Sequence, residues 1–183
     1  MLAAAVALFS TKGYSRVSIR ELASRAGCST ANLYHHFGSK YDIFVTIIEG
    51  AMDRHFGGLE EALAAHEEPR EQLRHVLRNH LLIHMTRPEV RLLAEDFHPM
   101  GGRELEQFIG ERDRYERGVR AIVERGVREG VLGVDDPAVA VRAALSACTS
   151  VDRWFRPDGP LSPDAVADRI TRFLMTGFAG EAA

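Results

Sequence analysis

Within residues 18–37 two helix-start signals flank a single glycine, and few folds accept that pattern. Ser18-Ile19-Arg20-Glu21 is a capping box, in which the Ser hydroxyl can accept from the third helical N–H while the Glu reaches back to the cap. The short helix it opens runs to Ala26-Gly27, with Ile19, Leu22, Ala23 and Ala26 on one face. Gly27 supplies the backbone freedom that a tight turn demands. Ser29 then caps a second short helix through Asn32, Leu33, Tyr34 and Phe37, and Gly38-Ser39 closes it and caps the next. Two short helices about a glycine turn predict a helix-turn-helix, whose second helix is sized for the major groove of DNA.

The charge distribution points the same way once it is divided. The 183-residue chain carries 23 Lys plus Arg against 26 Asp plus Glu, and its net charge of −3 gives no hint of a polyanionic partner. Residues 1–48 hold five basic side chains (Lys12, Arg16, Arg20, Arg25, Lys40) against Glu21 and Asp42, which is +3, while the rest hold 18 basic against 24 acidic, which is −6. Such an asymmetry implies a basic module facing an anion and an acidic module that does not. The hydrophobic share of 45% and charged share of 27% are those of an ordinary globular protein rather than a disordered or collagenous one. Cys28 and Cys148 are too few and too far apart for a disulfide framework, so a reducing cytoplasm is the expected compartment.

The opening run to Thr11 is uncharged and Ala-rich, but it lacks a basic leader and a small-residue cleavage site, and it is too short to span a bilayer. Neither a signal peptide nor a membrane segment is expected. Leu2, Val6 and Phe9 mark a helix with Gly13 as its C-terminal cap. Helical stride beginning on residue 2 predicts that part of a preceding segment, and any basic arm on it, is missing.

Beyond Lys40 the apolar spacing is helical throughout. Phe44, Ile47, Ile48, Ala51, Met52, Leu59 and Leu63 mark a long helix, and Pro69 begins another with Leu73, Val76, Leu77, Leu81 and Met85 on one stripe. A shorter segment lies between Pro88 and Phe97, and Leu105 to Val123 mark a long amphipathic helix ending near Gly130. Asp136-Pro137 opens a helix rich in small residues, from Ala140 to Ser150, and Ser162-Pro163-Asp164 opens a last one with Val166, Ile170, Phe173, Leu174 and Phe178 in register. No alternating strand pattern occurs, so the fold class is all-α.

The second helix of the turn motif carries residues suited to a groove. Ser29, Thr30, Ala31 and Asn32 are small or polar at its start, where base edges are met; Asn can pair with adenine, and Ala or a Thr methyl can touch a thymine methyl. Tyr34, His35, His36 and Lys40 are donors for the sugar-phosphate backbone on either side, and Arg20 is a further phosphate or guanine candidate.

The stretch Phe9-Ser10-Thr11-Lys12-Gly13-Tyr14, Val17 to Ala23, Ala26-Gly27-Cys28-Ser29 and Leu33-Tyr34-His35-His36-Phe37-Gly38-Ser39-Lys40 resembles the DNA-binding domain of the TetR family of transcriptional regulators. That resemblance implies an N-terminal three-helix domain over 1–45 with its helix-turn-helix at 18–37, followed by a C-terminal helical ligand-binding and dimerisation bundle over 46–183. Tyr34, His36 and Lys40 are then phosphate contacts, Thr30, Ala31, Asn32 and His35 lie at or near bases, and Ser18 and Arg20 add contacts from the preceding helix. It also implies a homodimer joined through the last two helices, bound to double-stranded DNA at a pseudo-palindromic operator, and a small-molecule effector that releases the DNA. Val151 to Pro163 resembles the link between those helices in relatives that regulate fatty-acid or steroid breakdown and respond to acyl-CoA thioesters. An acyl-CoA tunnel would draw on Phe97, Met100, Phe108, Ile109, Tyr115 and Trp154, with Arg112 among the cations for its phosphates.

Two other readings compete. His80 and His84, four apart on one helix face, have metal-chelating spacing, with Asp96 or His98 available to complete a set, which would make a metal-responsive regulator. A small all-α enzyme has no nucleophile elbow, phosphate loop or paired-acid motif behind it. No resident cofactor is expected.

Overall fold

Each short helix begins where a side chain can stand in for the missing backbone acceptor. In the computed structural model, which describes residues 1–95 and 102–179 (backbone alone at 91 and 93–95), Ser18 Oγ accepts from the Glu21 N–H at 3.2 Å and opens α2 (Ile19–Ala26). Gly27 follows in the left-handed region with φ 68°, and the Cys28 N–H returns to the Ala23 carbonyl at 3.0 Å, so the chain reverses into α3 (Thr30–His36). Ser29 and Ser39 cap α3 and α4 (Lys40–Ala65) through the Asn32 and Asp42 N–H groups at 3.1 and 3.0 Å. The remaining helices among the described residues are α1 (Leu2–Lys12), α5 (Pro69–Thr86), α6 (Pro88–Glu95), α7 (Gly102–Arg128), α8 (Pro137–Thr149) and α9 (Pro163–Gly177). Asp136 and Ser162 cap α8 and α9, each with proline at the first helical position, as expected. The fold is all-α: the described residues contain no strand, only a bridge between Gly133 and Ala179.

One compact unit is formed by Met1–Asp53 together with Arg87–Gln107. Its core holds Phe9, Val17, Leu22, Leu33, Ile43 and Phe44, all nearly or fully buried, with the Phe9, Tyr14 and Phe44 rings in mutual contact at centroid distances of 5.0 to 6.2 Å. α1 packs on α2 and on α6, and Ser10 Oγ donates to the Pro88 carbonyl at 3.2 Å. A short 3-10 turn, Tyr14–Arg16, joins α1 to the cap of α2.

The second unit comprises Arg54–Thr86 and the chain from Phe108 onward. α5 is its spine: Leu73, Val76, Leu77 and Leu81 are at most 1% exposed, and the helix packs against both α8 and α9. Arg78 of α5 donates to Asp164 and Asp168 of α9 at 2.6 and 2.7 Å. The apolar register expected for α9 divides: Val166 and Phe178 are buried, whereas Phe173 is 75% exposed, as is Val139 of α8 at 60%. Leu63 likewise leaves the apolar stripe of α4, at 49% exposure. No helix among the described residues is long and apolar enough to cross a membrane.

Replacing Gly27 by alanine puts a Cβ into the left-handed region where nothing clashes with it but the backbone itself is strained, so Gly27→Ala is expected to destabilise the first unit by about 1 kcal/mol, read as a lowered urea midpoint with an unchanged slope.

Candidate functional site

Leu33 is the one side chain that α3 commits to the interior, at 2% exposure. The rest of the helix therefore faces out. Ala31, Asn32, His35 and His36 are exposed, Tyr34 is 53% exposed, and Thr30 is half-buried. Leu22 and Ala23 turn α2 the other way and leave Arg20 and Ser18 exposed beside it. The Ser18 and Ser29 hydroxyls act as caps, accepting from backbone N–H groups, so each retains its own O–H to donate outward. Of the sequence-predicted DNA contacts, Ser18, Arg20, Ser29, Ala31, Asn32, Tyr34, His35 and His36 are thus exposed on α2, α3 and their caps, with Thr30 half-buried.

Lys40 differs from its companions. Its ammonium donates to the carbonyls of Tyr14 and Val17 at 3.0 and 2.9 Å and lies 4.1 Å from the centre of the Tyr14 ring. Expected purely as a phosphate donor, it is a strut that ties the start of α4 to the segment before α2, with one of its three N–H bonds left over. Partial burial lowers its pKa from the usual range. Glu21 completes the other end of this support: its carboxylate takes a hydrogen bond from Lys12 and is held below the usual carboxylate range by that bond first, with the Ser18 backbone N–H adding to it.

The second unit contains a cluster that sequence reasoning found only in part. His80 and His84 of α5 are buried with rings stacked at 4.8 Å and 18°, and His55 of α4 packs on both, 4.5 and 5.4 Å away by ring centroid. Tyr115 Oη lies 3.2 Å from His80 Nδ1, and Thr149 Oγ1 lies 3.3 Å from His80 Nε2. Burial pushes His55 down to about 3 and His84 to about 4, the like charge of His84 adding to the effect on His55, and His80 also falls well below its ordinary value, so all three are neutral at pH 7. His55 was missed because it sits in an otherwise apolar stripe. Its neighbours at helical spacing, Ala51, Met52, Leu59 and Ala62, are buried, and a polar residue on such a stripe was the available signal.

The effector candidates differ in burial. Phe108 and Tyr115 are buried, with Tyr115 against the histidines, whereas Arg112 is exposed and Ile109 and Trp154 are about half exposed, at 47% and 54%; Phe97 and Met100, like Asp96 and His98, lie outside the described residues.

Comparison with known proteins adds identity to this geometry. The family described as "Bacterial regulatory proteins, tetR family" matches residues 1–47, and "Tetracyclin repressor-like, C-terminal domain" matches residues 66–178. The HTH-type transcriptional repressor KstR2 of Rhodococcus jostii is 27% identical, the alignment covering 98% of this chain and 89% of the repressor. The TetR family transcriptional regulator PfmR of Thermus thermophilus superposes with a TM-score of 0.88 at 35% identity, covering 100% of this chain and 98% of PfmR. AibR, solved in complex with isovaleryl coenzyme A and operator DNA, shares the fold at a TM-score of 0.86 and 23% identity, covering 97% of each chain.

The strut at Lys40 is testable apart from any ligand. Lys40→Met removes two charge-assisted hydrogen bonds and is expected to cost about 1–2 kcal/mol, and to raise amide exchange at residues 14–18 more than in α5.

Proposed function

The chain belongs to the TetR family of bacterial regulatory proteins, and from that premise we propose that it is a cytoplasmic, homodimeric repressor that holds a pseudo-palindromic operator and is released from it by an acyl-CoA thioester. The observation that carries the DNA half is the one-anchor geometry of α3. A helix held only by Leu33 can lay its whole opposite face in a major groove without unfolding. Thr30, Ala31, Asn32 and His35 then meet or neighbour base edges, Ser18, Arg20, Ser29, Tyr34 and His36 hold phosphates, and the leftover N–H of Lys40 joins them. The division of labour is 1–45 for DNA and 46–183 for the effector and the dimer.

Dimerisation is supported by what α8 and α9 leave uncovered. Ala143, Ser146 and Ala147 are exposed small residues on α8, where the larger Val139 is exposed too, and Phe173 of α9 exposes three-quarters of its surface. Small residues allow close helix approach, and a large exposed aromatic beside them fits a buried anchor between two copies. A dimer presents two copies of α3, and two half-sites about 34–36 Å apart lie one turn of DNA from each other. For the effector, support comes from the likeness of residues 151–163 to acyl-CoA-responsive regulators, and from AibR, which has this fold and was solved with isovaleryl coenzyme A. The names of the relatives point to no metal as the regulatory signal.

The test is a gel-shift titration with the DNA beside the protein's own gene, repeated with long-chain and ring-derived acyl-CoA. A salt-sensitive, sequence-selective shift that the thioester reverses is expected; no selective shift from the intact protein overturns the reading. Tyr34→Phe should weaken binding to all sequences alike, whereas Asn32→Ala should change the preferred bases at one position, worth about 1–3 kcal/mol of discrimination. Phe173→Glu should give a monomer in sedimentation and lose the operator shift, while its helical content is unchanged.

A further inference from the structure

Neither DNA reading nor dimerisation uses the three histidines of the second unit. His55, His80 and His84 are 3, 6 and 5% exposed, and each offers a ring nitrogen such that the three lie within 4.8 Å of one another. Nδ1 of His55 and Nδ1 of His84 are buried with no hydrogen-bond partner, an arrangement that is costly in a core while it stays unfilled. We propose that these three ring nitrogens are the ligands of one divalent transition-metal ion of the zinc class, held inside the second unit and joining α4 to α5.

Several features of the cluster favour that occupant. Neutral imidazole presents a lone pair, and three ring nitrogens gathered within 4.8 Å of one another suit zinc, nickel or copper; magnesium and calcium require oxygen ligands. The i, i+4 spacing of His80 and His84 keeps both rings on one face of α5, and His55 supplies the third direction from another helix. Zn–N bonds of 2.0–2.1 Å set tetrahedral ligands roughly 3.3 Å apart, so the nitrogens need to draw together by about 1.5 Å at most, within reach of small side-chain rotations. His80 keeps one of its two hydroxyl contacts, to Tyr115 or Thr149, as the outer bond that orients a ligating ring, and yields the other. The buried carboxylate of Asp152 has an oxygen 3.9 Å from His84 Nδ1 and provides negative charge beside a cation. With three protein ligands, the fourth position is left for water or a polar atom of a small molecule. An ordered water or a carbonyl would engage one nitrogen or two; a metal ion accounts for the gathering of all three. The ion is independent of the released-by-thioester reading: it can be a resident structural element whatever the signal is.

The experiment uses the full chain, stripped with a chelator, dialysed and titrated separately with zinc and cobalt(II). The expected result is one equivalent bound per chain, visible d–d absorption with cobalt, and a melting temperature that rises with zinc. His55→Gln or His80→Gln should weaken zinc binding by at least about 100-fold, whereas changing His66 and His75 to Gln, a pair in contact elsewhere in the unit, should leave it unchanged. Circular dichroism of each stripped variant establishes that it is folded; where one is not, the cobalt spectrum and zinc-dependent melting of the unaltered chain decide alone. Absence of stoichiometric binding by the unaltered chain, or equal affinity in a folded His55→Gln, overturns the proposal.

Discussion

The first N–H groups of a helix have no partner within it, and that constraint governs the DNA-facing half of this protein. α2 has eight residues and α3 has seven, lengths at which an isolated helix does not hold together in water. They persist because Ser18 and Ser29 each satisfy a terminal N–H and because Leu22, Ala23 and Leu33 bury one side of the pair. Capping is worth about 1 kcal/mol per site and burial of a leucine about 2 kcal/mol, so neither suffices alone. The consequence is functional. A helix stabilised from its cap and one anchor has no need of its outer face, and that face is free to carry whatever residues an operator requires.

What was legible in the sequence follows from this locality. A capping serine, the N–H that donates to it three residues on and a glycine with positive φ are all encoded within a few positions, and the helix starts at Ile19, Thr30, Lys40, Pro69, Pro137 and Pro163 could be read directly. The role of Lys40 could not, since its partners are carbonyls 26 and 23 residues earlier whose positions only the folded chain defines. The same holds for His55, which reaches His80 and His84 only after α4 and α5 pack, and for the association of Arg87–Gln107 with the first unit rather than with its sequence neighbours. Ile109 and Trp154 show a different limit: large apolar residues suggest a pocket lining by type, but residue type alone carries no direction, and both are about half exposed on the folded chain.

The buried polar side chains among the described residues concentrate in the second unit. In the first, Ser18, Arg20, Asn32, Tyr34, His35 and His36 are exposed and the partly buried Lys40 is engaged by backbone carbonyls, although Tyr41 Oη is buried without a hydrogen-bond partner. In the second, the histidine cluster keeps two ring nitrogens unpartnered in a core otherwise made largely of Leu, Val and Ile. Native interiors hold few such atoms, and those that exist usually serve a ligand or an ordered solvent molecule. A domain whose task is only to dimerise could fill that space with Leu or Met at no cost. That it does not is why the cluster, rather than the exposed aromatic residues, is the part of the second unit with the most specific chemistry.

Net charge illustrates how averaging hides such local design. The chain sums to −3, yet residues 1–48 carry +3. At physiological ionic strength charges are screened over about 8 Å, so a phosphate at α3 responds to the cations within that range and hardly at all to acids farther along the chain. Arg20 and Arg25 on α2, Arg16 just before it and the tethered ammonium of Lys40 belong to the same unit as the groove-facing residues, and Glu21 is already paired with Lys12. The acidic remainder serves a different end: it favours solubility and disfavours indiscriminate adhesion to polyanions. A regulator of this kind needs both, enough local positive charge to hold phosphates in register and too little overall to bind any DNA it meets, so that selectivity falls to whichever side chains reach the bases.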